Sequence, residues 1–140
     1  MKNKIVKNWM TKDPVTIGPD ATLPEVHEKM KEYGIRRLPV VDEEDTLLGI
    51  ISLSDVQEAE PSDAKALNIY ELTYLLSKIK VGRLMKKDVI TVTPDTSIAD
   101  CAKLMMEKKI GGLPVVENGK VVGIITESDI FRLVVKEYTE

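Results

Sequence analysis

The chain repeats itself. Val6-Lys7-Asn8-Trp9-Met10 returns as Val81-Gly82-Arg83-Leu84-Met85. At the same offset, Asp13-Pro14-Val15-Thr16-Ile17 matches Asp88-Val89-Ile90-Thr91-Val92, and Pro19-Asp20 matches Pro94-Asp95. Ile35 to Val41 matches Ile110 to Val116, with Leu-Pro-Val-Val in both copies. One residue drops out of the next turn, so Asp42 to Leu48 corresponds to the shorter Glu117 to Val122. The copies then realign as Gly49-Ile50-Ile51-Ser52-Leu53-Ser54-Asp55 and Gly123-Ile124-Ile125-Thr126-Glu127-Ser128-Asp129. Self-similarity of this order means one structural unit built twice, so a fold assigned to one copy has to serve the other.

Each copy predicts the same run of elements. Val15-Thr16-Ile17 reads as a short strand between Asp13-Pro14 and Gly18-Pro19. A helix follows, with Thr22 as N-cap, Glu25 as its capping-box partner and Pro24 in the first turn. Leu23, Val26 and Met30 lie at helical spacing and mark its buried stripe. Ser97 and Asp100 repeat the cap, and Ile98, Cys101, Ala102 and Met105 repeat the stripe. Arg37 to Val41 is a strand containing a proline, which suits an edge or an irregular point because proline donates nothing to a ladder. A turn at Glu43-Glu44-Asp45, or at Asn118-Gly119 in the second copy, leads back through the strand Leu47 to Ser52. A last helix opens at Ser54-Asp55, and its counterpart at Ser128-Asp129 continues through Ile130, Leu133 and Val134. Between the copies, Glu58 to Ala64 reads as a polar linker and Ala66 to Ile79 as a helix. Its apolar stripe (Leu67, Tyr70, Leu72, Leu75, Leu76, Ile79) is wider than one repeat needs and suits packing between the repeats or against a second chain.

Composition bounds the rest. With 43% apolar residues but only 4% aromatics, the core has to be aliphatic. No apolar run approaches the roughly 20 residues a membrane span needs. Met1-Lys2-Asn3-Lys4 leads into Ile5-Val6-Lys7-Asn8 without the apolar stretch of a signal peptide. A single cysteine, Cys101, excludes an internal disulfide and a cysteine-rich zinc site. The expected compartment is the cytoplasm. A net charge of −3 gives no general attraction to nucleic acid, which would require a segment such as Lys78 to Lys87 to form one basic face. Neither a P-loop nor Gly-x-Gly-x-x-Gly, His-x-x-x-His or Gly-x-Ser-x-Gly occurs, so no enzyme activity is expected.

The Val-x-x-x-Met opening, the Leu-Pro-Val-Val block and Gly-Ile-Ile-Ser/Thr-x-Ser-Asp each occur twice, and together they resemble tandem CBS domains. The resemblance runs from about Val6 to Val135. It implies an α/β (α+β) fold: two β-α-β-β-α repeats packed with pseudo-twofold symmetry into one disc-like module. Repeats are expected at 6–60 and 81–138, with a linker and helix at 61–80. Many family members bind AMP, ADP, ATP or S-adenosylmethionine in two clefts where the repeats meet, and the discs commonly pair as homodimers. CBS pairs also occur inserted in inosine monophosphate dehydrogenase, but 140 residues leave no room for that enzyme's barrel.

The same resemblance marks Asp55 and Asp129 as the ribose-binding positions. A carboxylate accepts two hydrogen bonds from the cis 2′- and 3′-hydroxyls of a ribose. Each Asp also reads as a helix cap, with Ser54 and Ser128 beside it able to cap in its place. Ser52 and Thr126 stand where the family offers a hydroxyl to ribose or phosphate, and equally read as ordinary strand residues. Thr16 and Thr91 have the same two readings. Val15 and Ile90 wall an adenine or simply fill the core. Arg36 and Arg37 face Gly111 and Gly112 across the duplication. An arginine fork suits a phosphate, while a solvated pair bridging to nearby carboxylates explains the residues as well. On the phosphate reading the two clefts are inequivalent. Ser54, Ser128, Pro39, Pro114 and Gly112 complete the expected ligand-binding set. His27, opposite Ala102, reads as a surface residue, Cys101 as an apolar filler, and Trp9 as packing beside Met10. The expectation is a regulatory module that needs no cofactor, takes an adenine nucleotide as its ligand, and acts as a homodimer on an effector protein. The competing reading is a ligand-independent homodimeric scaffold.

Overall fold

The computed structural model of the protein describes residues 4–60 and 67–139. After a 3-10 turn at Val6–Asn8 come β1 (Thr11–Lys12), α1 (Leu23–Tyr33), β2 (Arg37–Val41), β3 (Leu47–Ser52) and α2 (Leu53–Glu58). These are followed by α3 (Ile69–Leu76), α4 (Val81–Leu84), α5 (Ile98–Lys108), β4 (Gly112–Glu117), β5 (Lys120–Thr126) and α6 (Glu127–Tyr138). The helices and strands cluster into two compact units that cut across the repeats. One is Val15–Val89; the other joins the chain up to Pro14 to the chain from Ile90 onward.

Each unit is built on an antiparallel hairpin carrying a helix before and after it. In the Val15–Val89 unit β2 pairs with β3, and Leu38, Val40 and Ile51 turn a fully buried face toward Leu23, Val26 and Met30 of α1. In the other unit β4 pairs with β5, and Leu113, Val115 and Ile125 meet Ile98, Cys101 and Met105 of α5. Both cores are aliphatic apart from the methionines and the cysteine, as the scarcity of aromatics requires. Each is closed by a valine from the other copy's opening segment: Val81 at 0% exposure with the first repeat, Val6 at 0% with the second.

The opening segments reach those cores along the outer edge of each hairpin. Thr11 and Lys12 pair with Ile124 and Gly123, and Lys86 exchanges both backbone hydrogen bonds with Ile50 (3.0 and 2.9 Å). Here the repeated motifs acquire a physical reason. A Cβ on Gly123 would come within 2.5 Å of the Met10 sulfur and 2.9 Å of the Thr11 carbonyl. On Gly49 it would lie 2.7 Å from both the Met85 sulfur and the Lys86 carbonyl. The methionine of Val-x-x-x-Met therefore needs the glycine of Gly-Ile-Ile beneath it.

The strand expected at Val15–Ile17 shrinks to one parallel bridge, Ile17 to Val40, and its counterpart to Val92 with Val115. The proline of each Leu-Pro-Val-Val block explains this. Ile17 N–H donates to the Pro39 carbonyl (3.1 Å) and its own carbonyl accepts from Val41 (2.9 Å). The next rung would need the Pro39 nitrogen as donor to the Val15 carbonyl, and proline has no N–H. Pro114 ends the Val92 pairing in the same way.

Several local expectations change. Thr22 is the N-cap of α1, but its side chain makes no capping bond; Ser97 does, accepting from Asp100 N–H at 3.0 Å. The helix expected over 66–79 is the shorter Ile69–Leu76, capped by Asn68, which accepts from Glu71 N–H at 2.8 Å. Residue 66 and most of the expected linker lie outside the described residues. Of the stripe, Leu76, with Ile79 just beyond the helix, packs against the core, while Tyr70 and Leu75 stay exposed. The Asn118-Gly119 turn has positive φ at both residues (54° and 80°), as a two-residue hairpin turn requires. In the first copy Asp42 organises the longer loop, its carboxylate accepting from the N–H groups of Glu44 and Thr46.

Candidate functional site

Both strand-to-helix junctions put an aspartate at the third position of a helix. Ser52 is the N-cap of α2: its hydroxyl accepts from Asp55 N–H (3.2 Å), and Asp55 Oδ2 accepts from Ser52 N–H (2.9 Å). Thr126 is the N-cap of α6, and Asp129 Oδ2 accepts from its N–H (2.9 Å) and its hydroxyl (3.2 Å). This corrects the expectation that Ser54 and Ser128 could cap. The helices start at Leu53 and Glu127, one residue ahead of these serines, which therefore sit inside the first turn and are exposed. The aspartates do take part in capping, and each keeps oxygen lone pairs beyond the cap for another donor.

The two junctions differ in what surrounds them. Arg37 lies directly across the hairpin from Ser52, and Leu53 N–H donates to the Arg36 carbonyl (2.7 Å). In the second copy buried Gly112 lies across from Thr126, with Glu127 N–H on the Gly111 carbonyl (3.1 Å). At the position across the hairpin from the N-cap the first unit thus has an arginine where the second has a glycine. Pro39 and Pro114 are buried in β2 and β4, and Val15 and Thr16 are half-buried just before the Ile17 bridge. Thr91 is exposed and Ile90 packs against its core cluster.

Two residues escape the motif reading. Lys29 of α1 donates to the Thr16 carbonyl (2.7 Å), tying the segment before the bridge to the helix; its counterpart is Leu104. Arg132 places its guanidinium on Asp129 Oδ1. The second was readable in principle, since residues three apart on a helix are neighbours.

Of the other singled-out residues, His27 is exposed and Cys101 fully buried. Burial pushes the Cys101 thiol up to about 11. Trp9 is half-buried beside Met10, with the ammonium groups of Lys4 and Lys136 at 5.9 and 5.7 Å from its ring. Among the described residues no group of three or more His, Cys, Asp or Glu side chains is placed to hold a metal ion, and no helix is long and apolar enough to cross a membrane.

Two copies of one hairpin-and-helix unit, each ending in a capped aspartate, define a CBS pair. The CBS domain family model matches residues 6–62 and 81–136, and the chain belongs to that family. A CBS domain-containing protein of Dictyostelium discoideum is 35% identical over 133 residues, covering 94% of this chain and 92% of that protein. Further curated relatives are longer, and the chain spans between 22% and 64% of their length. Among solved structures, the CBS domain pair of protein MJ0100, in complex with 5′-methylthioadenosine and S-adenosyl-L-methionine, superposes with a TM-score of 0.79 at 30% identity. That match covers 96% of this chain and 98% of the other. CBSX2 in complex with AMP superposes with a TM-score of 0.78 at 31% identity, covering 96% and 98%.

Proposed function

We propose that the protein is a regulatory module that binds an adenosine-containing nucleotide, its ribose hydroxyls held by Asp55 or Asp129. The reading is carried by two aspartates, each at the third position of the helix after a strand and accepting from its N-cap N–H, in a family whose solved relatives above are complexes with AMP, S-adenosylmethionine and 5′-methylthioadenosine. Ser52, Thr16, Val15 and Pro39 in the first repeat, and Thr126, Thr91, Ile90 and Pro114 in the second, complete the seats. Arg36 and Arg37 supply a phosphate partner that Gly111 and Gly112 do not. Binding acts on a cytoplasmic effector protein by favouring one conformation of the module over another. The enzyme names among the relatives belong to longer proteins, such as an inosine-5′-monophosphate dehydrogenase of which the chain spans 22%.

One observation favours a scaffold as the second reading. Tyr70 (83% exposed) and Ile69 (68%) on α3, and Met106 (78%) on α5, leave apolar surface open that a homodimer would cover.

Thermal unfolding with AMP, ADP, ATP, NAD, S-adenosylmethionine and GTP separates the two. A ligand bound only by the folded state adds about 2.7 kcal/mol at a hundredfold excess over Kd. The nucleotide reading expects an upward shift with at least one adenosine ligand and none with GTP. No shift at millimolar concentration across the panel leaves the scaffold.

A further inference from the structure

The second aspartate already has a cation on it. Asp129 is 2% exposed, and both its oxygens are engaged: Oδ2 by Thr126, Oδ1 by the Arg132 guanidinium one turn along α6. Asp55 occupies the same place in the first repeat, but among the described residues it takes only the bonds of its capping box. Where the second repeat has Arg132, the first has the acid Glu58.

We infer that Arg132 is a gate on the Asp129 seat: that carboxylate accepts both ribose hydroxyls only once the guanidinium is displaced, while the Asp55 carboxylate has acceptor sites to spare beyond its cap. This rests on the ribose reading given above. The arginine bond is charge-assisted at both ends and roughly twice as strong as a neutral hydrogen bond, so a ribose hydroxyl does not displace it on equal terms. The Arg132 side chain is itself 67% exposed and lines an open groove with Trp9, Phe131 and Lys136, which gives it room to turn away. The two repeats therefore bind unequally, and the weaker seat is held back by one side chain of its own helix.

Titration calorimetry with AMP and with S-adenosylmethionine, on the wild type and on Arg132→Met, tests this. Arg132→Gln serves as a second variant, and thermal unfolding checks that both are folded. The gate predicts that removing the guanidinium adds a second equivalent of ligand per chain, or tightens the weaker step at least tenfold. Adding Asp129→Asn to Arg132→Met should abolish that gain. Binding that both Arg132 variants leave unchanged or weaken overturns the gate and spares the ribose reading. Absence of binding to the wild type and to both variants overturns the two together.

Discussion

Asp129 and Cys101 are both buried and ionisable, and their surroundings treat them in opposite ways. Asp129 finds two N-cap donors and a guanidinium, so its charge is compensated where it stands. Cys101 sits at 0% exposure among aliphatic side chains, and desolvation alone raises its thiol from 9.0 to about 11. The folded state therefore keeps a proton that the unfolded thiol sheds above about pH 9. This group lowers stability progressively as pH rises from about 9 toward 11 and has no effect below that window. At pH 8 Cys101 should react with Ellman's reagent only at the rate of unfolding, and Cys101→Ala should flatten the alkaline fall in stability. Rapid labelling of the native protein would show the thiol to be accessible. The filler role of Cys101 was legible from helical spacing alone. The part the aspartates play in capping was half hidden, because the helix starts depend on which hydroxyl the backbone adopts, and Ser52 won over Ser54.

At the level of elements, the hairpin strands β2 and β3 follow directly from turn residues and β-branched runs, and the structure keeps those bounds. The strand before α1 did not survive because its partner offers a proline where the ladder needs a donor. That failure turns on which side of β2 the proline nitrogen faces, and a linear sequence does not carry that direction. Gly49 and Gly123 make the complementary case: their repetition was plain, but the crossing methionine and backbone that demand them were not. Alanine at Gly49 meets the Lys86 carbonyl at 2.7 Å and at Gly123 the Thr11 carbonyl at 2.9 Å, and neither backbone is free to retreat. Each substitution is expected to cost about 1–3 kcal/mol by overpacking. Urea unfolding should show a lower midpoint with an unchanged slope. Alanine at exposed Gly18, where a Cβ meets nothing within 4 Å, is the control, and equal losses at all three would refute the crossing as the cause.

For the whole molecule, the duplication made the fold readable: one unit interpreted twice gave two hairpins, each with a helix before and after it, over two aliphatic cores. What duplication does not encode is the exchange of opening segments, since Val6 and Val81 are equivalent in sequence whichever core they enter. The structure puts Val81 with the first repeat's hairpin and Val6 with the second's, so neither repeat completes its core from its own residues. The nucleotide reading is narrower than the fold: it has an adenosine ligand held through its ribose hydroxyls by the junction aspartates. Its most direct measurement compares the affinity of AMP with that of 2′,3′-dideoxy-AMP, in the wild type and in Asp55→Asn plus Asp129→Asn. Asparagine retains an oxygen to accept the cap N–H while losing the charge, which separates binding from folding. Ribose recognition by the aspartates predicts at least a tenfold preference for AMP in the wild type, about 1.4 kcal/mol, and loss of that preference in the double variant. Equal binding of the two nucleotides by the wild type, or a preference that survives in the double variant, would contradict it.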